Sequence, residues 1–515
     1  MTFFQKLLAH YSLSEEEFNE RKNAGFSILN PVSHMEGFSS AIELINRGIE
    51  NKKKFVIYGD YDVDGMTATS IIYLALKQRG IKAGYFIPSR YKQGYGLNVD
   101  ILREFHKKGY EYLILVDNGI SLVEEVKLAK EMGMTVIIID HHQTQVNIPQ
   151  ADAIIHQFLT GYTSYNISAA FLSMLVYFAL VNKQDDYIIA LAGIAVISDM
   201  MEIKGMNLSL LKRCLEILNQ GKYPQFNYLL FNSPVKGEEK VLSSSIAYKI
   251  VSPLNSLGRM DIASLNNNGV KFLTEDKLVN IEAYYKFIED VNFKKKDLLK
   301  KYESAPSETI SGVSFTYSED LPIGLIGLLA NRKLDENNYL SFALAKQSKD
   351  SSVLVGSARS KSNIDLSELI AEFKDRLIKY GGHKNACGFS IKEEDYPQFK
   401  RDVVEYLQMK DIQEVKRDYI SISEEEINAS NISLIYEFEP FGYAFEEPSF
   451  TCEIDLSKGN RSKDFKHLFV EINDTQICLF NCPLDVKGKK KLILHPMLNY
   501  FNHRYFYKFR GEIAS

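Results

Sequence analysis

The stretch Phe55 to Thr69, FVIYGDYDVDGMTAT, constrains this chain more than any other. A short apolar run, Phe55-Val56-Ile57, ends in three carboxylates, Asp60, Asp62 and Asp64, closed by Gly65. On extended backbone alternate residues point the same way, so these oxygens are expected to converge on one side. Three anions that close repel one another, and burying them without a counter-charge is costly. A divalent cation resolves the conflict, and hard oxygen donors suit magnesium or manganese. A solvated acidic turn is the ordinary alternative. A calcium EF-hand loop also opens D-x-D-x-D-G, but its twelfth position needs a bidentate Glu where this chain has Ile71. Such a loop also follows a helix, and this one follows a strand-like run.

At 515 residues the chain has the length of about three domains. An apolar fraction of 45% and a charged fraction of 25% are those of soluble globular protein. No apolar run reaches the roughly 18 uncharged residues of a membrane-spanning helix. The opening MTFFQKLLAHYSLSEEEF lacks the basic start, apolar centre and small-residue cleavage site of a signal peptide. Cys214, Cys387, Cys452, Cys478 and Cys482 have no metal-knuckle spacing and are expected to be reduced thiols in a cytoplasmic protein. The net charge of −5 argues against indiscriminate polyanion binding but is compatible with a local basic groove.

Along the chain, residues 1–50 form a helical preface, with Ala41-Ile42-Glu43-Leu44-Ile45 at helix-like spacing. After the acid turn, the pattern predicts a helix over Ala68–Gln78, a strand over Ala83–Ile87, and a helix over Val99–Lys107. A strand over Tyr112–Val116, a helix over Leu122–Glu131 and a fully apolar strand over Val136–Ile139 follow. Strands alternating with helices indicate parallel βαβ units, an α/β class in which ligands gather at the carboxyl ends of the strands. Three of those ends carry polar groups: Asp60-Tyr61-Asp62-Val63-Asp64, Asp117-Asn118-Gly119 and Asp140-His141-His142. One acid there could be an N-cap, the ordinary alternative for Asp117. Three such ends together, one a D-H-H triplet, are hard to explain by capping. Asp199 follows the apolar run Ala190–Ile197 and could complete the shell, although alone it would be a helix-terminal residue.

YGDYDVDG, VDNGIS, DHH and SDM, in this order and at these separations, resemble the four motifs of the DHH phosphoesterase superfamily. Closer in, the chain resembles the RecJ branch, the bacterial single-strand-specific exonucleases. The supporting segments run through most of the chain: Asn30-Pro31, PSRYKQGYGLN, LNSLGRMDIASL, IGLIGLLANRKL, GSARS, GGHKNACGFSI and EPFGYAFEEPSF. Three departures stand out. Tyr58 occupies a place where some relatives carry His, the fourth motif reads VISDMMEIKGMN, and His156-Gln157 stands where Asn-Pro is commoner.

The resemblance implies two divalent ions, manganese or magnesium, activating water against a phosphodiester. Asp62, Asp64, Asp117 and His141 would be ligands, with Asp117 the bridge, Asp199 closing one shell and Asp60 an outer ligand. Asp140 is expected to orient His141, leaving His142 to face the scissile phosphate, with a structural hydrogen bond the ordinary alternative for the His142 ring. Arg259, Ser357 and Arg359, with Arg90 on the same path, would bind phosphates near the 5′ end. Gly382 and His383 of the G-G-H motif would contact the substrate. For each Arg a surface ion pair is the ordinary alternative.

The architecture implied has four parts. A DHH domain with its preface covers 1–270, a linking helix 271–305, a smaller α/β DHH-associated domain 306–410, and a linker with an OB-like barrel 411–515. Short alternating runs after Ser449 support about five strands. Tyr500, Phe501, Tyr505, Phe506, Tyr507 and Phe509 offer stacking and Lys489, Lys490 and Lys491 offer charge for a single strand. The implied activity is 5′-to-3′ hydrolysis of single-stranded DNA to mononucleotides in recombination and repair. The chain would act as a monomer, without membrane, beside a helicase or single-strand-binding protein. A phosphodiesterase of short oligonucleotides or cyclic dinucleotides and a catalytically silent scaffold are the alternatives.

Overall fold

The computed structural model describes all residues except 90–95, 145–146, 160, 261–265, 335–337, 349, 416–417 and 515. The chain divides into two compact units: Met1–Asn46, Ala153–Val251 and Arg417–Ser515 form one, and Arg47–Asp152 with Ser252–Lys416 the other.

The second unit contains the acid-bearing sheet. Strands β1 (Phe55–Tyr58), β2 (Gly84–Phe86), β3 (Tyr112–Val116) and β4 (Thr135–Ile139) lie in the order β2-β1-β3-β4, all parallel. Every residue of β1 and β3 is buried, as expected of strands covered on both faces. The intervening helices are Val63–Gln78, Val99–Lys107 and Val123–Glu131. The first begins five residues before the position that hydrophobic periodicity suggests, because Asp62 caps it and accepts from Gly65 N at 3.0 Å.

The same unit continues through the helix Ser252–Arg259 and a 26-residue helix, Leu278–Glu303, inside the expected linking segment. Its buried stripe starts at Ile281, while Leu278 is 49% exposed. A second sheet follows: β5 (Ser307–Ile310), β6 (Val313–Tyr317), β7 (Leu340–Lys346), β8 (Val353–Ser360), β9 (Leu377–His383) and β10 (Ala386–Lys392). Its order is β9-β10-β8-β7-β6-β5. The helix Ile323–Arg332 covers one face through Leu325, Ile326 and Leu329. Helices Leu366–Glu372 and Tyr396–Gln408 cover the other against Phe342 and Phe389. Leu299 and Tyr302 of the long helix share the first of these cores, so that helix carries the second sheet.

In the first unit, seven strands run in the order Ile420–Ser421, Phe450–Asp455, Lys489–Phe501, Arg504–Ile513, Thr475–Leu479, Leu468–Ile472, Asn460–Arg461. The sheet has more strands than the sequence suggests, and its ladder does not close into a barrel among the described residues. Phe3, Leu7 and Leu8 from the helix Phe3–His10 and Phe18 from Glu15–Asn23 pack into its core. The N-terminal helices therefore complete the C-terminal sheet, a partnership that local sequence pattern does not reveal. Among the described residues no helix is long and apolar enough to cross a membrane.

Lys295 on the long helix is buried and donates through Nζ to Ser252 O at 3.0 Å and Oγ at 3.2 Å. Burial, reinforced by Arg259, Lys296 and Arg332, lowers its ammonium from 10.5 to about 8. The unfolded chain keeps the higher value, so it binds the extra proton between those limits and stability rises with pH across them. Urea unfolding of wild type against Lys295→Met should show wild type gaining on the order of 2 kcal/mol relative to the variant from about pH 7.5 to about 10. A difference independent of pH would contradict this.

Candidate metal centre

The three strand ends meet. β1 runs into Asp60, β3 into Asp117 and β4 into Asp140-His141-His142, at one edge of one sheet. The acids of the first motif converge by a different route from the one extended backbone would give. Asp62 is an N-cap and Asp64 stands in the first helical turn, so a turn and a helix start place Asp60 and Asp62 beside Asp117 and Asp64 beside His141. Gly65 is required there: a Cβ on it would lie 2.5 Å from Asp60 O and 2.6 Å from Asp60 N. The helix Ser252–Arg259 buttresses this turn, with Asn255 Oδ1 accepting from Val63 N at 3.1 Å. Gly258 packs so closely that a Cβ would meet Tyr61 O at 2.5 Å.

Asp117 leaves β3 at φ +59°, a left-handed conformation that Asp tolerates better than most residues and that occurs at strained functional positions. Its amide still donates to Ile139 O at 3.0 Å, which extends the β3–β4 ladder and fixes the carboxylate. Asp60, Asp62 and Asp117 each offer an oxygen within 4.8 Å of the others, and Asp117, His141 and His142 form a second such group. Asp117 belongs to both. His141 Nε2 lies 3.2 Å from Asp117 Oδ1 and 3.6 Å from Asp64 Oδ2, in a site where Asp64, Asp117 and His141 are all buried. Carboxylate oxygens joined by an imidazole nitrogen are a donor set that manganese or magnesium accepts, so the residues present fit such ions.

The ring that Asp140 holds differs from the expectation. Its Oδ1 accepts from His142 Nδ1 at 2.8 Å and from the His141 and His142 amides at 2.8 and 3.2 Å. Its Oδ2 accepts from Ile120 N at 2.9 Å. The two histidines follow Asp140 directly, and the turn brings the second ring back onto the carboxylate while the first reaches Asp64 and Asp117. Burial alone would raise the Asp140 carboxyl, but the His142 hydrogen bond, both imidazoles and the Ile120 N–H outweigh it and hold it well below the usual range.

Asp199 ends the helix Asp186–Ser198 in the first unit. Arg90 lies outside the described residues. Tyr58 is turned to Gly96 and donates to its O at 2.8 Å. In the second sheet, Arg359 Nη1 donates to Ser357 Oγ and Ala358 O, each at 2.8 Å. Arg259 Nη1 donates to Gly324 O at 3.3 Å. Arg259, Ser357 and Arg359 line one cavity of about 540 Å³ with Gly327, Lys379 and Gly388. Gly382 has φ +147°, and a Cβ on it would meet Ala386 O at 2.4 Å; His383 beside it is exposed at the end of β9. Sequence reasoning missed Asn255 and Gly258, although the LNSLGRM segment that carries them stood out.

The model of the DHH family, N-terminal domain, matches residues 54–218, and that of the DHHA1 domain matches residues 312–409. The chain carries a DHH and a DHHA1 domain and is a homologue of the RecJ exonucleases. The single-stranded-DNA-specific exonuclease RecJ of Bacillus subtilis is 27% identical over 440 residues, 81% of this chain and 54% of that protein. The Haemophilus influenzae protein of the same name is 26% identical over 529 residues, 94% of this chain and 90% of that one. The chain thus spans about half the length of the first relative and nine tenths of the second. The crystal structure of RecJ from Thermus thermophilus in complex with Mn2+ superimposes with a TM-score of 0.82 at 20% identity, covering 99% of this chain and 75% of that one. At that identity the likeness establishes the shared fold.

In this DHH centre, Gly65→Ala should open the Asp60–Asp64 turn through the Asp60 backbone, without replacing any ligand side chain. Calorimetric titration with Mn2+ is expected to show affinity reduced by at least about tenfold, and unchanged affinity would refute the steric reading of the turn.

Proposed function

We propose that this chain is a metal-dependent exonuclease that hydrolyses single-stranded DNA from the 5′ end to mononucleotides, in recombination and repair. The observation that carries the reading is Asp117, common to two donor groups that each gather within 4.8 Å. Bound manganese or magnesium would supply an activated water and stabilise charge on the attacking and leaving oxygens of a phosphodiester. Asp60, Asp62 and Asp117 would hold one ion and Asp64, Asp117 and His141 the other, with Asp199 assigned to the shell by its motif. His142, its ring oriented by Asp140, would contact the scissile phosphate and stabilise the charge that develops there. Arg259, Ser357 and Arg359 would bind the 5′ phosphate in the cavity they line, with Arg90 on the same path and Gly382 and His383 contacting the strand. Arg359 enters that role with its guanidinium already fixed by Ser357 and Ala358, so little freedom is lost on binding.

A second strand-binding face is supported by the long C-terminal hairpin. Residues Arg504, Phe506, Lys508 and Arg510 alternate along one strand and pair with Phe501, Asn499, Met497 and His495, so all eight share one face. Phe501 and Phe506 are exposed, whereas Phe509 is buried in the core and Tyr507 packs against it. Aromatics interleaved with cations suit bases and phosphates of a single strand. A helicase or single-strand-binding protein would be its class of partner, and it would work as a cytoplasmic monomer.

Single strands labelled at the 5′ or the 3′ end, incubated with Mn2+ or Mg2+, test the reading. Labelled mononucleotide should appear at once from the 5′ label, and Asp117→Ala should lower the rate at least about a thousandfold. Phe501→Ala with Phe506→Ala should weaken binding of the strand about tenfold or more, leaving hydrolysis of a dinucleotide unchanged. Activity on dinucleotides alone would favour an oligonucleotide phosphodiesterase, and inactivity with every ion a scaffold.

A further inference from the structure

Asp199 closes its helix, and the chain leaves through Met200 at φ +49° and the buried Met201 and Ile203. Met201 N donates back to Val196 O at 2.9 Å, and Ile203 then takes its partners from distant parts of the chain. Its N–H donates to Tyr443 O at 3.1 Å, and its O accepts from Arg21 Nη1 at 3.0 Å. Arg21 Nη2 donates to Pro440 O at 2.8 Å, and its guanidinium carbon lies 3.4 Å from the Phe445 ring centroid. Gly442 presses on Ile203 from the loop side, where a Cβ would stand 2.9 Å from Ile203 Cγ1. One guanidinium therefore fastens together the N-terminal helix, the exit from the Asp199 helix and the EPFGYAFEEPSF segment. The position of Arg21 is itself anchored, because Lys212 Nζ donates to its carbonyl at 2.9 Å from the helix Gly205–Gln220.

Such an arrangement is expensive for mere filling of space. Burial is the main cause that lowers the Arg21 guanidinium to about 10, so it stays charged at neutral pH in a poorly solvated place. Its Nε has no hydrogen-bond partner among the described residues. An apolar side chain would occupy the volume at lower cost but could not hold two carbonyls in fixed relation, which the planar fork of Arg does.

We propose that Arg21 is a positioning residue for the metal centre, fixing the Asp199 carboxylate through the Ile203 turn and making that ligand dependent on the 439–447 loop. The proposal rests on Asp199 being a metal ligand, as in the function proposed above. Mn2+ binding to the full chain, followed by electron paramagnetic resonance with circular dichroism to check folding, tests it. Wild type should take up two ions, and Asp199→Asn should weaken one of them. Arg21→Met should weaken the same ion by about tenfold or more, with no further loss in the double variant. Arg21→Lys keeps the charge without the fork and should fail to restore affinity. Gly442→Ala should reproduce the loss from the opposite side, and it decides the matter if Arg21→Met does not fold. Full Mn2+ affinity in folded Arg21→Met or in Gly442→Ala, restored affinity in Arg21→Lys, or additive losses in the double variant would overturn the role of Arg21. Unchanged binding in Asp199→Asn would overturn the ligand reading as well.

Discussion

Repulsion among Asp60, Asp62, Asp64 and Asp117 is the constraint that the rest of the acid-bearing sheet answers. Two like charges 4 Å apart oppose each other by about 4 kcal/mol at the effective dielectric of a protein surface, and Asp60, Asp64 and Asp117 are more buried than that. The fold offers positive ends of dipoles in return. Asp62 sits at the N-terminus of the helix Val63–Gln78 and takes the Gly65 N–H, and Asp140 takes three backbone N–H groups and a ring nitrogen. Those donors offset part of the repulsion. The remainder falls to divalent cations, which is why the same atoms that endanger the fold give it a chemistry.

The strand ends were legible in the sequence because β1, β3 and β4 are unbroken apolar runs that stop at a charged residue. The way the first motif converges was not. Alternation along a strand and an N-cap followed by a helical turn both bring residues 60, 62 and 64 together, and only the Asp62–Gly65 hydrogen bond distinguishes them. Asp140 shows the same limit. In a D-H-H triplet either ring can reach the carboxylate, and the choice falls to the turn geometry at the end of β4. The docking of Phe3, Leu7 and Phe18 on a sheet from the far end of the chain leaves no local trace, since any complementary apolar face would satisfy an amphipathic helix.

Arg259 and Arg359, the arginines proposed to bind phosphate, raise a question of precision that the second sheet answers. A guanidinium recognises phosphate best when its fork is already oriented, and a long side chain on a bare surface would lose that advantage to rotamer entropy. Arg359 is fixed from its own strand by Ser357 and Ala358, and the helix Ile323–Arg332 closes over it. Gly327 comes so near that a Cβ would lie 2.8 Å from Arg359 Nη2. Arg259 is held at the first turn of that same helix, through Gly324 O. The helix is in turn seated by Leu325 and Leu329 on Leu299 and Tyr302 of the long helix Leu278–Glu303. The spacing of the two arginines is therefore set by one short helix and its apolar face. On the proposed reading, residues that never meet a phosphate, Gly327 above all, would determine whether two forks can grip one.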